Sequence, residues 1–103
     1  MIYHVVSKAN WQKLENEAEY VADSLASEGF IHCSTETQTA GVLERYYAHV
    51  PNLLLLHIEE QYLRSELKYE PAPNSGELFP HVFGPINRDS IVEVVEIDSR
   101  LLS

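Results

Sequence analysis

The sequence predicts an α+β fold, in which a mostly antiparallel sheet carries short flanking helices within one domain spanning residues 1–103. Three observations point there. Ile2 to Val6 and Ile91 to Ile97 are rich in β-branched residues, as strands require. Leu53 to Ile58 lacks polar alternation, as expected of a central strand buried on both faces. Only one stretch, from Val42 to Val50, sustains a helical period. The length of 103 residues with 45% hydrophobic content supports one core and not two.

The elements follow in order. Ile2-Tyr3-His4-Val5-Val6 reads as the first strand, and Ser7 caps a short helix on which Trp11 and Leu14 share a face. Tyr20 to Leu25 reads as a turn or short helix, stopped at Gly29. Phe30 to Ser34 is the second strand. Thr35-Glu36-Thr37-Gln38 has the form of a capping box, and Val42, Leu43, Tyr46, Tyr47 and Val50 then recur on one helical face until Pro51 and Asn52. The buried strand Leu53 to Ile58 follows. Tyr62, Leu63 and Leu67 predict another short helix. Pro71 to Gly76 is a loop long enough to form a flap. Phe79 to Pro85 is expected as an edge or irregular strand because of its prolines. Ile91 to Ile97 closes the sheet antiparallel to a neighbour.

Charge narrows the partners. Sixteen acidic against seven basic residues give a formal charge of -9, and the basic residues are scattered. Such a surface repels nucleic-acid phosphates and anionic lipid, so neither nucleic acid nor membrane is expected as a partner, and a small molecule is. The longest apolar run, Leu53-Leu54-Leu55-Leu56, is too short to span a bilayer. One cysteine, Cys33, permits no intrachain disulfide, and the Met1-Ile2-Tyr3-His4 opening lacks the pattern of a secretory leader. The expected location is the cytoplasm.

Chemistry concentrates near the second strand. Alternation puts Phe30, His32 and Ser34 on one face and sends Ile31 and Cys33 to the core. His32 and Ser34 thus stand together at a strand end just before a helix N-terminus, where backbone N–H groups favour anions or carbonyl oxygens. The plain structural alternative has Ser34 helping to cap that helix and His32 satisfying a carbonyl. His4 lies between Ile2 and Val6, a setting that usually means a packed, hydrogen-bonded ring. His81 is held in a stiff Pro-His segment, and Glu70 is a carboxylate placed to orient a histidine or a hydroxyl. Of the remaining histidines, His49 is expected to end a helix and His57 to lie in the buried strand. Trp11, Tyr46, Tyr47 and Phe83 read first as core, with Tyr47 and Phe79 the aromatics assigned to line a pocket. Convergence of His4, His32 and His81 with Glu70 behind them would suit zinc, but no two of these histidines have a compact ligand spacing, so no metal site is assigned. The four isolated glycines exclude a P-loop or Rossmann phosphate loop.

The combination of Ile2-Tyr3-His4, Trp11, Ser24-Leu25, Glu28-Gly29-Phe30-Ile31-His32-Cys33-Ser34, Gln38, Glu70 and Phe79-Pro80-His81-Val82-Phe83-Gly84-Pro85 resembles domain-of-unknown-function family 952 along nearly the whole chain. The resemblance implies a small bacterial cytoplasmic protein with an ADP-ribosyltransferase-like fold, whose split sheet holds NAD in a cleft. In that wider group a first-strand histidine or arginine holds the ribose. A later strand supplies a polar or aromatic residue followed by Ser or Thr, and a third position is often Glu. By that analogy His4 takes the first role and His32 with Ser34 the second, while Glu70 and His81 compete for the third. Two functions are implied. One is an enzyme acting on NAD or an ADP-ribose-like nucleotide, with His32, His81 and Glu70 catalytic and His4, Ser34, Phe79 and Tyr47 binding the ligand. The other is a non-catalytic module for a small anionic metabolite or a peptide.

Overall fold

Two three-stranded antiparallel sheets and a two-stranded ribbon make up the structure, a computed structural model that describes residues 1–72 and 76–97. In the first sheet the apolar strand β4 (Leu53–Ile58) lies between β1 (Ile2–Ser7) and β8 (Ile91–Ile97). Register runs from Ile2 opposite Ile58 to Ser7 opposite Leu53. In the second sheet β6 (Leu78–Val82) lies between β3 (Ile31–His32) and β5 (Leu67–Pro71). The ribbon pairs β2 (Glu19–Tyr20) with β7 (Ile86–Asn87). A single bridge, Tyr3 opposite Ser34, ties the first sheet to the second through two backbone bonds of 2.8 Å.

Alternation along the strands makes the core. Ile2, Val6, Leu54, Leu56 and Ile58 from the first sheet meet Ile31 and Val82 from the second, with Tyr20 and Ile86 closing the cluster. Each fully buried side chain of this kind contributes about 1.5–3 kcal/mol. Val5, Leu43 and Leu53 form a second cluster on the opposite face of β1 and β4, beneath helix α3 (Glu36–Tyr46). Ser7 accepts the amide of Asn10 at 3.1 Å and starts α1 (Lys8–Lys13), while Trp11 and Leu14 pack onto the main cluster. At the start of α3 the Thr35 amide donates to Gln38 Oε1 at 3.0 Å, the backward reach expected of a capping box.

Several expectations are corrected. Phe79 to Pro85 forms no edge: β6 is the middle strand of its sheet. Pro80 is tolerated there because its carbonyl accepts the Cys33 amide at 3.0 Å, so its missing donor faces the point where the chain leaves β3 to bridge Tyr3. The strand predicted over Phe30 to Ser34 is reduced by that departure to Ile31 and His32. Helix α3 stops at Tyr46, because His49 and Asn52 take left-handed φ values of 65° and 60° and turn the chain before Val50 can join. His49 therefore does not end the helix, and Tyr46, at 71% exposure, is not core. Tyr20 is in a strand, and Leu25 lies in α2 (Asp23–Glu28), which Gly29 ends at φ 87°, a conformation glycine adopts without strain. Where a helix was expected over Tyr62 to Leu67, a 3-10 turn (Glu60–Tyr62) precedes β5. Of the predicted flap, Pro71 ends β5, and residues 73–75 lie outside those described.

Candidate functional site

Because β3 and β6 pair with Ile31 opposite Val82 and His32 opposite His81, alternation buries the first pair and turns both histidines to the other face. Phe79 and Glu70, opposite one another on β6 and β5, share that face. The Glu70 carboxylate accepts the Nδ1–H of His81 at 2.8 Å, which fixes the tautomer and leaves the Nε2 lone pair of a neutral ring without a bond among the described residues. Phe30 stacks on that imidazole, with centroids 4.1 Å apart and planes 20° from parallel. Phe30 is itself placed by the turn after Gly29, where its carbonyl accepts the Ser24 hydroxyl at 2.8 Å. The His32 ring lies edge-on to both Phe30 and His81, at 4.7 and 5.5 Å, and its Nε2 meets Glu28 Oε2 at 3.0 Å.

A second arrangement lies at the junction of β1 and β3. His4 is buried, and both its nitrogens are engaged. Nδ1 lies 2.6 Å from the His32 carbonyl, which can only accept, so Nδ1 carries the proton; Nε2 therefore accepts the Tyr20 hydroxyl at 2.8 Å. Burial lowers the His4 pKa to about 4, outweighing the carbonyl bond that acts in the other direction. The same burial pushes the Tyr20 hydroxyl well above its ordinary value. Ser34 is buried too. Thr39 donates its hydroxyl to the Thr35 carbonyl at 2.8 Å, so Ser34 is the donor in the 2.9 Å bond to Thr39. Cys33 is buried with its thiol pKa raised by desolvation, and so behaves as a small hydrophobe.

One cleft of about 1050 Å³ touches both arrangements. Its lining includes all seven residues singled out from sequence. His32, His81, Glu70 and Phe79 stand together on the open face of the second sheet. His4 and Ser34 reach the cleft at the sheet junction, and Tyr47 reaches it beyond the end of α3, its hydroxyl pKa raised by burial. The ribose-holding role implied for His4 needs a free ring nitrogen, and both are spent. Ser34 is not the exposed partner of His32 that strand alternation predicts, because the bridge to Tyr3 draws it inside.

Sequence reasoning missed the partners Tyr20, Glu28 and Thr39. Phe30 was legible as sharing the face of His32, whereas nothing in the spacing announces the bond from Tyr20 to His4. Gln38 was read as a cap only, yet its Nε2 also donates to the Leu78 carbonyl at 2.7 Å and fixes the start of β6. Among the described residues no group of three or more His, Cys, Asp or Glu side chains is disposed to hold a metal ion, and no helix is long and apolar enough to cross a membrane.

The family model described as protein of unknown function (DUF952) matches residues 5–94. No curated protein matches. The fold is similar to that of protein CC0527 from Caulobacter crescentus, which is 26% identical. Its crystal structure aligns over 94% of this chain and 85% of that one with a TM-score of 0.85. Its solution NMR structure gives 0.80, covering 94% and 84%.

Proposed function

The chain belongs to the DUF952 family, and on that premise we propose that its cleft binds a small ring-bearing molecule and takes a hydrogen bond or a proton from it at His81 Nε2. One observation carries this reading: a carboxylate-oriented imidazole, stacked on Phe30 in a cleft, with one nitrogen left uncommitted. A carboxylate on Nδ1 holds the ring in one tautomer and stabilises the imidazolium that forms if the proton is taken, which is the arrangement general-base chemistry uses. Glu70 is the positioning residue and His81 the group that meets ligand. Phe79 offers a ring face, Phe30 backs the His81 imidazole, and His32 stands at the rim with Glu28. The NAD or ADP-ribose-like reading is the more specific form of this proposal, and the family resemblance supports it. The bonds of His4 argue against direct ribose contact there.

Titration with adenosine, nicotinamide riboside, NAD and ADP-ribose, followed by histidine ¹⁵N and ¹H signals, tests the proposal. At least one ring-bearing ligand is expected to move the His81 signals, and His81→Asn to remove that binding while the amide spectrum stays folded. Release of nicotinamide from NAD would favour the transferring form. Silence at His81 with every ligand at millimolar concentration overturns the proposal.

A further inference from the structure

Resting on the ring-binding reading of the cleft and departing from its nucleotide form, we infer that its ligand carries a positive charge and no phosphate: an organic cation built on a flat ring, such as an N-alkylpyridinium. Carboxylates outnumber cations in the lining, where Glu70 and Glu28 face His81 and His32 and Asp23 faces neither. Glu70, Glu28 and Asp23 border the cleft, while no lysine or arginine does among the described residues. His4 is neutral near pH 7 because burial lowers its pKa to about 4, so it supplies no cation. The lysine nearest in register, Lys68 opposite His81, has its ammonium 3.8 Å from Glu66 and 5.2 Å from the Phe83 centroid.

A diphosphate brought here would meet three carboxylates and no lysine or arginine among the described residues, the reverse of phosphate sites, which place guanidinium, ammonium or clustered backbone N–H groups on the anion. A cation finds favourable Coulomb energy from the same carboxylates and a ring face from Phe79. The net charge of -9 extends the bias beyond the cleft and raises the local concentration of cations at its mouth. A pyridinium seated against Phe79, on the same face of β6 as His81, leaves His81 Nε2 free to accept from a ring substituent, so charge selection and the role of His81 are compatible.

A ring kept constant while its charge varies gives the test. Titration with 1-methylnicotinamide, nicotinamide and nicotinate, at low salt and followed by amide and histidine signals, compares a cation, a neutral ring and an anion. The cation is expected to bind at least about tenfold more tightly than nicotinate, with nicotinamide between, and the span to shrink as salt screens the carboxylates. The double variant Asp23→Asn, Glu28→Gln, altered only at exposed positions, should compress that span. Nicotinate or ADP-ribose binding in the cleft as tightly as 1-methylnicotinamide overturns the charge inference and leaves the cleft reading standing. No shift at His81 with any of the three rings overturns the charge inference, and the cleft reading falls with it only if adenosine, nicotinamide riboside, NAD and ADP-ribose are silent too.

Discussion

His4 and His81 lie on neighbouring sheets and line the same cleft, yet their surroundings make different residues of them. His4 gives its Nδ1 proton to the His32 carbonyl and its Nε2 lone pair to the Tyr20 hydroxyl, and is closed. His81 gives its Nδ1 proton to Glu70 and keeps Nε2. The lesson is one of valence. A neutral imidazole has one donor and one acceptor, and the number already spent by the fold decides whether any remains for a ligand. Substitution at the closed histidine should therefore be read in stability, and at the open one in binding.

The largest effect expected from this contrast is a pH dependence belonging to His4. Its folded-state pKa of about 4 lies below the ordinary 6.5, so the unfolded chain takes up a proton first as the pH falls. The His4 contribution is complete above about pH 6.5 and is lost progressively down to about pH 4, amounting to about 3 kcal/mol. Urea unfolding at intervals across that window should follow this loss in the wild type. His4→Gln, which cannot titrate, should be less stable at pH 7 and show a flatter profile. Equal slopes in the two proteins would mean that His4 is hydrated in solution.

Next in size is Tyr20→Phe. The substitution keeps the ring among Ile2, Val6 and Ile86 but strands a buried lone pair on His4, at a cost of about 2 kcal/mol. It should also raise the His4 pKa, because a neutral ring that loses its donor at Nε2 becomes readier to accept a proton there. Chemical denaturation gives the first quantity and an NMR titration of His4 the second. A Phe variant as stable as wild type would show that water takes the place of the hydroxyl.

The contrast between the two histidines also marks where sequence pattern stops being informative. Strand alternation was sufficient to send Ile31 and Cys33 inward and His32 outward, because it depends only on neighbours in the chain. The Thr35–Gln38 cap and the Gly29 stop were legible for the same reason. Central placement of β6 was not, since proline argues against it by rule and only the departure of β3 at Cys33 removes the conflict. Ser34 failed similarly: its burial is decided by the bridge to Tyr3, 31 positions earlier in the chain. The closed state of His4 needed Tyr20, and the open state of His81 needed Glu70. Both pairings are made by sheet topology, so the sequence could nominate these histidines but not tell them apart.

The smallest stability effect is expected at His81, where the binding consequence is greatest. His81→Asn removes a ring whose side chain is 12% exposed, stacked on Phe30 and bonded to a Glu70 carboxylate 39% open to solvent. The stacked pair is worth about 1 kcal/mol, and the partly solvated hydrogen bond to Glu70 adds less than it would if buried. A loss of about 1 kcal/mol in urea unfolding is therefore expected, smaller than for either change at the closed histidine. Asparagine still offers Glu70 an N–H, so the carboxylate is not abandoned, but no imidazole lone pair then faces the ligand. Binding of the ring that moves His81 in the wild type should fall by more than tenfold, a factor worth about 1.4 kcal/mol. The ordering is what matters. If His81→Asn destabilises the fold as much as Tyr20→Phe and leaves binding unchanged, His81 is a second packing histidine and the difference between the two sites disappears.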